Sequence, residues 1–256
     1  MKTSVVIPVY NEEKYIKNAL NSLVDQSKKP DEVIVVDNNC TDKTIKIAQT
    51  FKKKLPLKII KEKKQGIAYS RNAGFNKAKG DLLVKFDADS ILPKDWLKKA
   101  VYIFKKNQKI AAYSNHFYLY DFPFFSKSLL PSKIYQFFFR LLSGYGVLLG
   151  PAFAIKKSVW KKIKNEVCLD DDKVHEDIDV TIHCSSFGDI YIDKEVIIDI
   201  SSRRIKYNPL SFFIEYPLIF LRMLLNHRDK LSQGRGILRF FVISKSLQSW
   251  KSQSKS

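Results

Sequence analysis

The chain has 256 residues, 45% of them hydrophobic, which is core material for one α/β domain with a small appendage and excludes a wholly disordered chain. Its 45 Lys and Arg against 26 Asp and Glu leave a net charge of +19. That excess points to polyanions, whether nucleic acid, anionic membrane or phosphorylated substrate, although solvated lysine faces on helices would produce the same balance.

In chain order, Ser4 to Val9 predicts a buried strand, and Glu12 to Asp25 a helix with Ile16, Leu20, Leu23 and Val24 on one face. A second strand is expected at Glu32 to Val36, a helix at Thr41 to Phe51 and a short strand at Leu57 to Ile60. Gly66 to Lys79 predicts a helix entered through glycine, Leu82 to Phe86 a fourth strand, and Pro93 to Lys105 a helix opened by proline. Ile110 to Ser114 completes the alternating part, which implies a mostly parallel sheet covered on both faces. The pattern then changes: residues 117–149 hold 11 of the 33 aromatic residues. Strands follow at Ala152 to Ile155, Ile190 to Ile192 and Val196 to Ile200, with helices at Lys157 to Lys164 and Asp177 to Phe187. Residues 206–248 mix apolar runs with arginines, and residues 249–256 form a Ser/Lys/Gln tail expected to be disordered.

Cys40, Cys168 and Cys184 show no metal-ligand or redox spacing, which fits a reducing, cytosolic compartment. Met1 to Ser4 shows no signal-peptide pattern. The longest uncharged stretch, Leu141 to Ile155, has 15 residues, short of the roughly 18 to 20 that a spanning helix needs. Aromatic and basic segments together nevertheless suggest peripheral contact with an anionic membrane, the alternative being a small helical subdomain core.

Three strands break into polar residues where they end, and ligands of open α/β sheets bind beyond such ends. Pro8, Tyr10 and Glu12 follow the first; Tyr10 could stack on a nucleobase while Asp37 or Asn38, after the second, meets its edge. Asp87-Ala-Asp89 follows the fourth and could hold a hard cation through oxygen, or merely form a loop or cap. The other Asp-x-Asp pairs, at 170/172 and 177/179, do not follow a strand in this way. Arg71 has the planar fork that suits phosphate or a base edge, or it is a helix-surface residue. Asn72 and Gly74 are expected to pack helix on sheet; Arg203 could approach a diphosphate; and Asp177 could simply cap a helix. His175 and Asp179 receive no role.

Taken together, Val6 to Glu12, Val36 to Asp42, Gly66 to Gly74 with Arg71, Asp87 to Asp89 and Glu176-Asp177 resemble a family 2 glycosyltransferase of GT-A fold, over roughly residues 3–200. The resemblance departs at Asn38, where the family usually shows a second aspartate, and at Cys40, commonly a serine. It implies a nucleotide-sugar-binding half (residues 1–115) and an acceptor half (116–205) in one domain, then a basic-apolar helical extension (206–248). It further implies a nucleotide-diphosphate sugar donor (UDP- or GDP-linked) and Mn²⁺ or Mg²⁺ on Asp89, with Asp87 on ribose or bound through water. Asp177, beside Glu176, would be the general base of an inverting transfer to a glycan or lipid-linked acceptor. The segment from Gly144 to Phe153 would line the donor sugar and acceptor, unless it only makes tight turns. Two rivals stand beside this: a nucleotidyltransferase, which would want a Gly-rich basic loop where Pro8 to Glu13 stands, and a non-enzymatic polyanion-binding protein. No specific nucleic-acid module is visible, and oligomeric state is left open.

Overall fold

The structure is a computed structural model, and it describes residues 1–120, 128–202, 218–220, 222, 223 and 227. β1 (Thr3–Val9) and β2 (Glu32–Asp37) are near-continuous apolar runs, mostly valine and isoleucine, and both are buried on two faces. Val5, Ile7, Val33 and Val35 face one side, where α1 (Ile16–Val24) and α4 (Trp96–Lys106) cover them. Val6, Ile34 and Val36 face the other, under α3 (Ile67–Lys77), α6 (Lys157–Ile163) and α7 (Glu176–Ser185). The remaining strands are β3 (Leu57–Lys61), β4 (Leu82–Phe86), β5 (Ile110–Leu119), β6 (Ala152–Lys156) and β7 (Asp189–Ile200). The seven run in the order β3-β2-β1-β4-β6-β5-β7. Only β6 is antiparallel to its neighbours, so the sheet is mostly parallel and flanked by helices, as expected.

From β1 the chain steps outward to β2 and β3, then crosses back to β4 on the other side of β1. That reversal opens a crevice at the carboxyl ends of β1, β2 and β4. Close packing under the crevice depends on Gly74: a Cβ there would lie 2.2 Å from Cγ1 of Val6, so a larger residue would lift α3 off the sheet.

Several elements differ from the sequence expectation. The helix expected from Thr41 is short, α2 (Thr44–Gln49), and tightens into a 3₁₀ turn at Thr50–Lys53. β5 continues to Leu119, five residues past Ser114. The two strands expected at 190–192 and 196–200 are one strand, β7, with a bulge. Asn115 pairs with Asp193 and His116 with Ile197, while the Asp193 carboxylate accepts the N–H groups of Glu195 and Val196.

The aromatic segment contains a helix that the sequence did not predict, α5 (Leu130–Ser143), whose buried face mixes Phe139 with polar Ser132, Gln136 and Ser143. Its buried face carries Ser132 and Gln136: Ser132 Oγ bonds His116 Nδ1, and the Gln136 amide exchanges two hydrogen bonds with the Val147 backbone. Leu130, Ile134, Phe137, Phe138 and Leu141 face outward, Phe137 at 64% exposure. Among the described residues no helix is long and apolar enough to cross a membrane.

Candidate active site

Lys85 organises the site. It stands in the middle of an apolar strand, fully buried, and its ammonium reaches three groups from three parts of the chain. Nζ lies 2.6 Å from Asp87 Oδ1 and 3.0 Å from Glu176 Oε1, and it donates to the Gly150 carbonyl. Burial pulls the Lys85 pKa down, but the adjacent Asp87 and Glu176 charges outweigh it and hold the ammonium above its usual value. Glu176 is buried between Lys85 and Arg71, and these two cations overcome burial to hold its carboxyl below the usual range.

Arg71 is therefore placed differently from the sequence expectation. It has no exposed surface; its guanidinium donates to the Glu176 carboxylate, the Glu176 carbonyl and Asn72 Oδ1. A fork committed in this way does not reach a phosphate. The Glu176 carboxylate is likewise buried, and it is held between Arg71 and Lys85.

Asp87, about 24% exposed, leaves the end of β4 towards the crevice. Burial pushes its pKa up to about 6; the Lys85 charge opposes that shift, and the Asp89 charge adds to it. Asp89 is half-buried and close enough to exert that repulsion. Two oxygen-bearing groups crowded in this way, one already tied to Lys85, suit a hard cation held mainly by Asp89.

Asp177 comes to the same place from α7. Its Oδ2 accepts the Gly150 N–H at 2.8 Å, and its Oδ1 accepts the Ile178 N–H at 2.8 Å. The helix starts at Glu176 with His175 at the cap position, so Asp177 sits inside the first turn and serves helix and crevice together. Burial and then the Glu176 charge raise its pKa, against the opposing His175 and Lys85 charges. Burial and then the nearby Asp177 charge push the Tyr135 hydroxyl of α5 up, so that helix flanks the site.

Gly150 allows this approach. A Cβ there would stand 3.1 Å from Asp177 Oδ2 and 3.7 Å from Lys85 Nζ. The Asp87 N–H donates to the Pro151 carbonyl, fastening the same turn to the metal-binding candidates. Gly150→Ala should slow turnover by up to about 100-fold with little change in melting temperature, because small displacements of a reacting group are costly. Wild-type turnover in that variant would show that the turn does not position Asp177.

At the other end of the crevice Tyr10 is 53% exposed, beside Pro8 at the end of β1. Asn11, at φ 54°, accepts the Thr41 N–H through its side chain, and Glu12 donates its N–H to Thr44 Oγ1. Asp37 accepts the Cys40 N–H through Oδ1. Asn38 is buried and fully engaged: its amide donates to the Glu62 and Lys64 carbonyls and its oxygen accepts the Gly66 N–H. Its side chain thus anchors the loop before α3. Arg203 lies outside the described residues, as does nearly all of 206–248.

Sequence reasoning also missed Asp171, which caps α3 from a hundred residues away. Its carboxylate accepts the Ile67 N–H at 2.7 Å and the Ala68 N–H at 3.2 Å. Gly66, at φ 144°, leaves room for it, since a Cβ would meet Asp171 Oδ2 at 2.8 Å. Asp171→Ala should cost about 0.5 to 2 kcal/mol in chemical denaturation. An unchanged midpoint would mean that the cap contributes nothing.

A family model, Glycosyl transferase family 2, matches residues 4–163. The chain belongs to glycosyl transferase family 2. Among curated family relatives, the poly(ribitol-phosphate) beta-N-acetylglucosaminyltransferase TarS of Staphylococcus aureus is 39% identical over 104 residues, 39% of this chain and 18% of TarS. The dolichol-phosphate mannosyltransferase of Pyrococcus furiosus is 34% identical over 119 residues, 45% of this chain and 34% of that protein. The alignments thus span a minor part of these relatives' lengths. Of solved structures, S. aureus TarS 1-349 in complex with UDP-GlcNAc superposes with a TM-score of 0.66 at 24% identity, over 91% of this chain and 71% of that one. The mannosyltransferase PcManGT of Pyrobaculum calidifontis, in complex with GDP-Man and Mn²⁺, gives 0.63 at 21% identity, over 78% and 56%. The fold is GT-A, and family membership favours glycosyl transfer over the nucleotidyltransferase and polyanion-binding alternatives.

Proposed function

We propose that this chain transfers a sugar from a nucleotide-diphosphate sugar to an acceptor hydroxyl, with inversion, in the synthesis of a cell-surface glycan or glycolipid. The observation that carries the reading is Asp177: a carboxylate of raised pKa, fixed by Gly150 and joined through Lys85 to the Asp87–Asp89 end of β4. A general base works best when its pKa approaches the working pH. Support for the donor class comes from relatives solved with UDP-GlcNAc and with GDP-Man.

Tyr10 stacks on the base and Asp37 meets its edge, while Asp87 lies towards the ribose. Asp89, with Asp87, would hold Mg²⁺ or Mn²⁺; when bound, that ion neutralises charge growing on the departing diphosphate. Asp177 takes the proton of the acceptor hydroxyl as its oxygen bonds to the anomeric carbon. The bond from that carbon to the diphosphate oxygen breaks, and its electron pair leaves with the nucleoside diphosphate.

A thermal-shift panel of UDP-, GDP- and dTDP-sugars, with and without Mn²⁺, tests the donor class. One donor at 100 times its Kd should stabilise by about 2.7 kcal/mol, and a flat panel would remove the proposal. The site of action is the cytoplasmic membrane face, supported by the outward apolar side of α5 with exposed Lys133 and Arg140 beside it. Phe137→Glu with Phe138→Glu should weaken co-sedimentation with anionic vesicles, whereas unchanged co-sedimentation would take α5 out of that role.

A further inference from the structure

Further along α7 lies a second cluster, to which the proposed transfer step gives no role. Asp179 and His183 are four residues apart on one face of α7, and His227 reaches them from the C-terminal segment. Asp179 has no exposed surface, and the His183 and His227 side chains are 3% and 13% exposed. Nε2 of His227 lies 3.0 Å, and Nε2 of His183 3.5 Å, from Asp179 Oδ1. All three ligand atoms fall within 4.8 Å of one another.

The outer contacts decide where the ring hydrogens sit. His227 Nδ1 is 3.0 Å from the Met223 carbonyl, which can only accept, so this nitrogen carries the hydrogen. His183 Nδ1 faces the Glu166 carboxylate at 3.3 Å, and a hydrogen on that nitrogen suits this contact. With neutral rings, both Nε2 lone pairs then converge on a carboxylate oxygen. Such a meeting of acceptors needs positive charge at its centre. One metal ion supplies it without placing two imidazolium rings, 5.4 Å apart, inside the fold.

Tetrahedral zinc bonds of about 2.0 to 2.1 Å place neighbouring ligand atoms about 3.4 Å apart, close to the two spacings found here. Metal-bound histidines usually donate their other N–H to a carboxylate or carbonyl, which Glu166 and Met223 provide. The carboxylate is fixed as well, since Asp179 Oδ2 accepts the Cys168 N–H at 2.9 Å. Two imidazoles and one carboxylate suit Zn²⁺ better than Mg²⁺. We propose that Asp179, His183 and His227 form a structural zinc site, separate from the cation position at Asp89, that fastens His227, with Met223 beside it, to the helix carrying Asp177.

The test uses the full chain, dialysed against chelator and titrated with Zn²⁺ alone, reading bound metal and melting temperature. Wild type and Asp89→Asn should each take up one equivalent and melt higher with zinc. Mg²⁺ should not substitute. His227→Ala, at the least buried ligand, should lose both responses while keeping a cooperative melt. Glu166→Gln should weaken zinc affinity about 10- to 100-fold. Equal zinc uptake by wild type and His227→Ala, or none by wild type, would overturn the site and leave a hydrogen-bonded imidazolium pair.

Discussion

Lys85→Met should lose about 3 to 5 kcal/mol of stability, the usual cost of removing one partner from a buried ion pair. At this chain length that lowers the melting temperature by about 6 to 20 °C. The reason lies in what remains: Asp87 and Glu176 would face each other without the ammonium between them, and the Gly150 carbonyl would lose its donor. Methionine matches the length of the stem, so the loss reflects charge rather than volume. Glu176 would still have Arg71, which makes Asp87 the more exposed to the change. Its carboxyl, already pushed to about 6, should rise further once the opposing Lys85 charge is gone. A Lys85→Met protein that melts with the wild type would show that the ammonium does not hold the site together.

The largest effect on catalysis is expected from Asp177→Asn. Removing a general base costs about 10² to 10⁴ in rate, while the asparagine oxygen can still accept the Gly150 N–H and keep the turn in place. Donor affinity should be unchanged, because the nucleotide end of the crevice is built from β1, β2 and β4. The pH profile gives a second check. Burial raises the Asp177 pKa, and the base works ionised, so wild-type turnover should fall as pH drops through a value above the ordinary carboxylate range. For stability the sign is opposite: a raised folded pKa favours the protonated form, so this stabilising contribution is present at low pH and lost as pH rises through the folded pKa. Turnover in Asp177→Asn equal to wild type, with the acid limb intact, would assign the base elsewhere.

Residues whose position follows from local pattern were legible in the sequence. β4 ends at Phe86 and the carboxylates follow at once, so Asp87 and Asp89 could be placed at a strand end without knowing the fold. Tyr10 and Asp37 were placed by the same reasoning. What escaped were long-range contacts. Arg71 looks like a phosphate ligand in its own helix, and contacts distant in sequence, Glu176 105 residues later among them, enclose it. Asn38 is similarly absorbed by a loop 24 to 28 residues on. A lysine within Leu82 to Phe86 was the one available hint of Lys85, since a charge in a doubly buried strand needs partners. α5 was hidden because its buried face is mostly polar, with Phe139 the apolar exception, while most of its apolar residues point outward. Ser132 and Gln136 turn inward to backbone and imidazole partners that the local sequence does not announce.

In the proposed reaction one cation and one donor meet at Asp89, within reach of Asp177. Calorimetric titration of the donor selected by thermal shift, into wild type and Asp89→Asn, with Mn²⁺ and with chelator, tests it most directly. Wild type should bind only with Mn²⁺, and Asp89→Asn should bind at least about 10-fold more weakly under the same conditions. Equal donor affinity in both proteins, with or without metal, would contradict it.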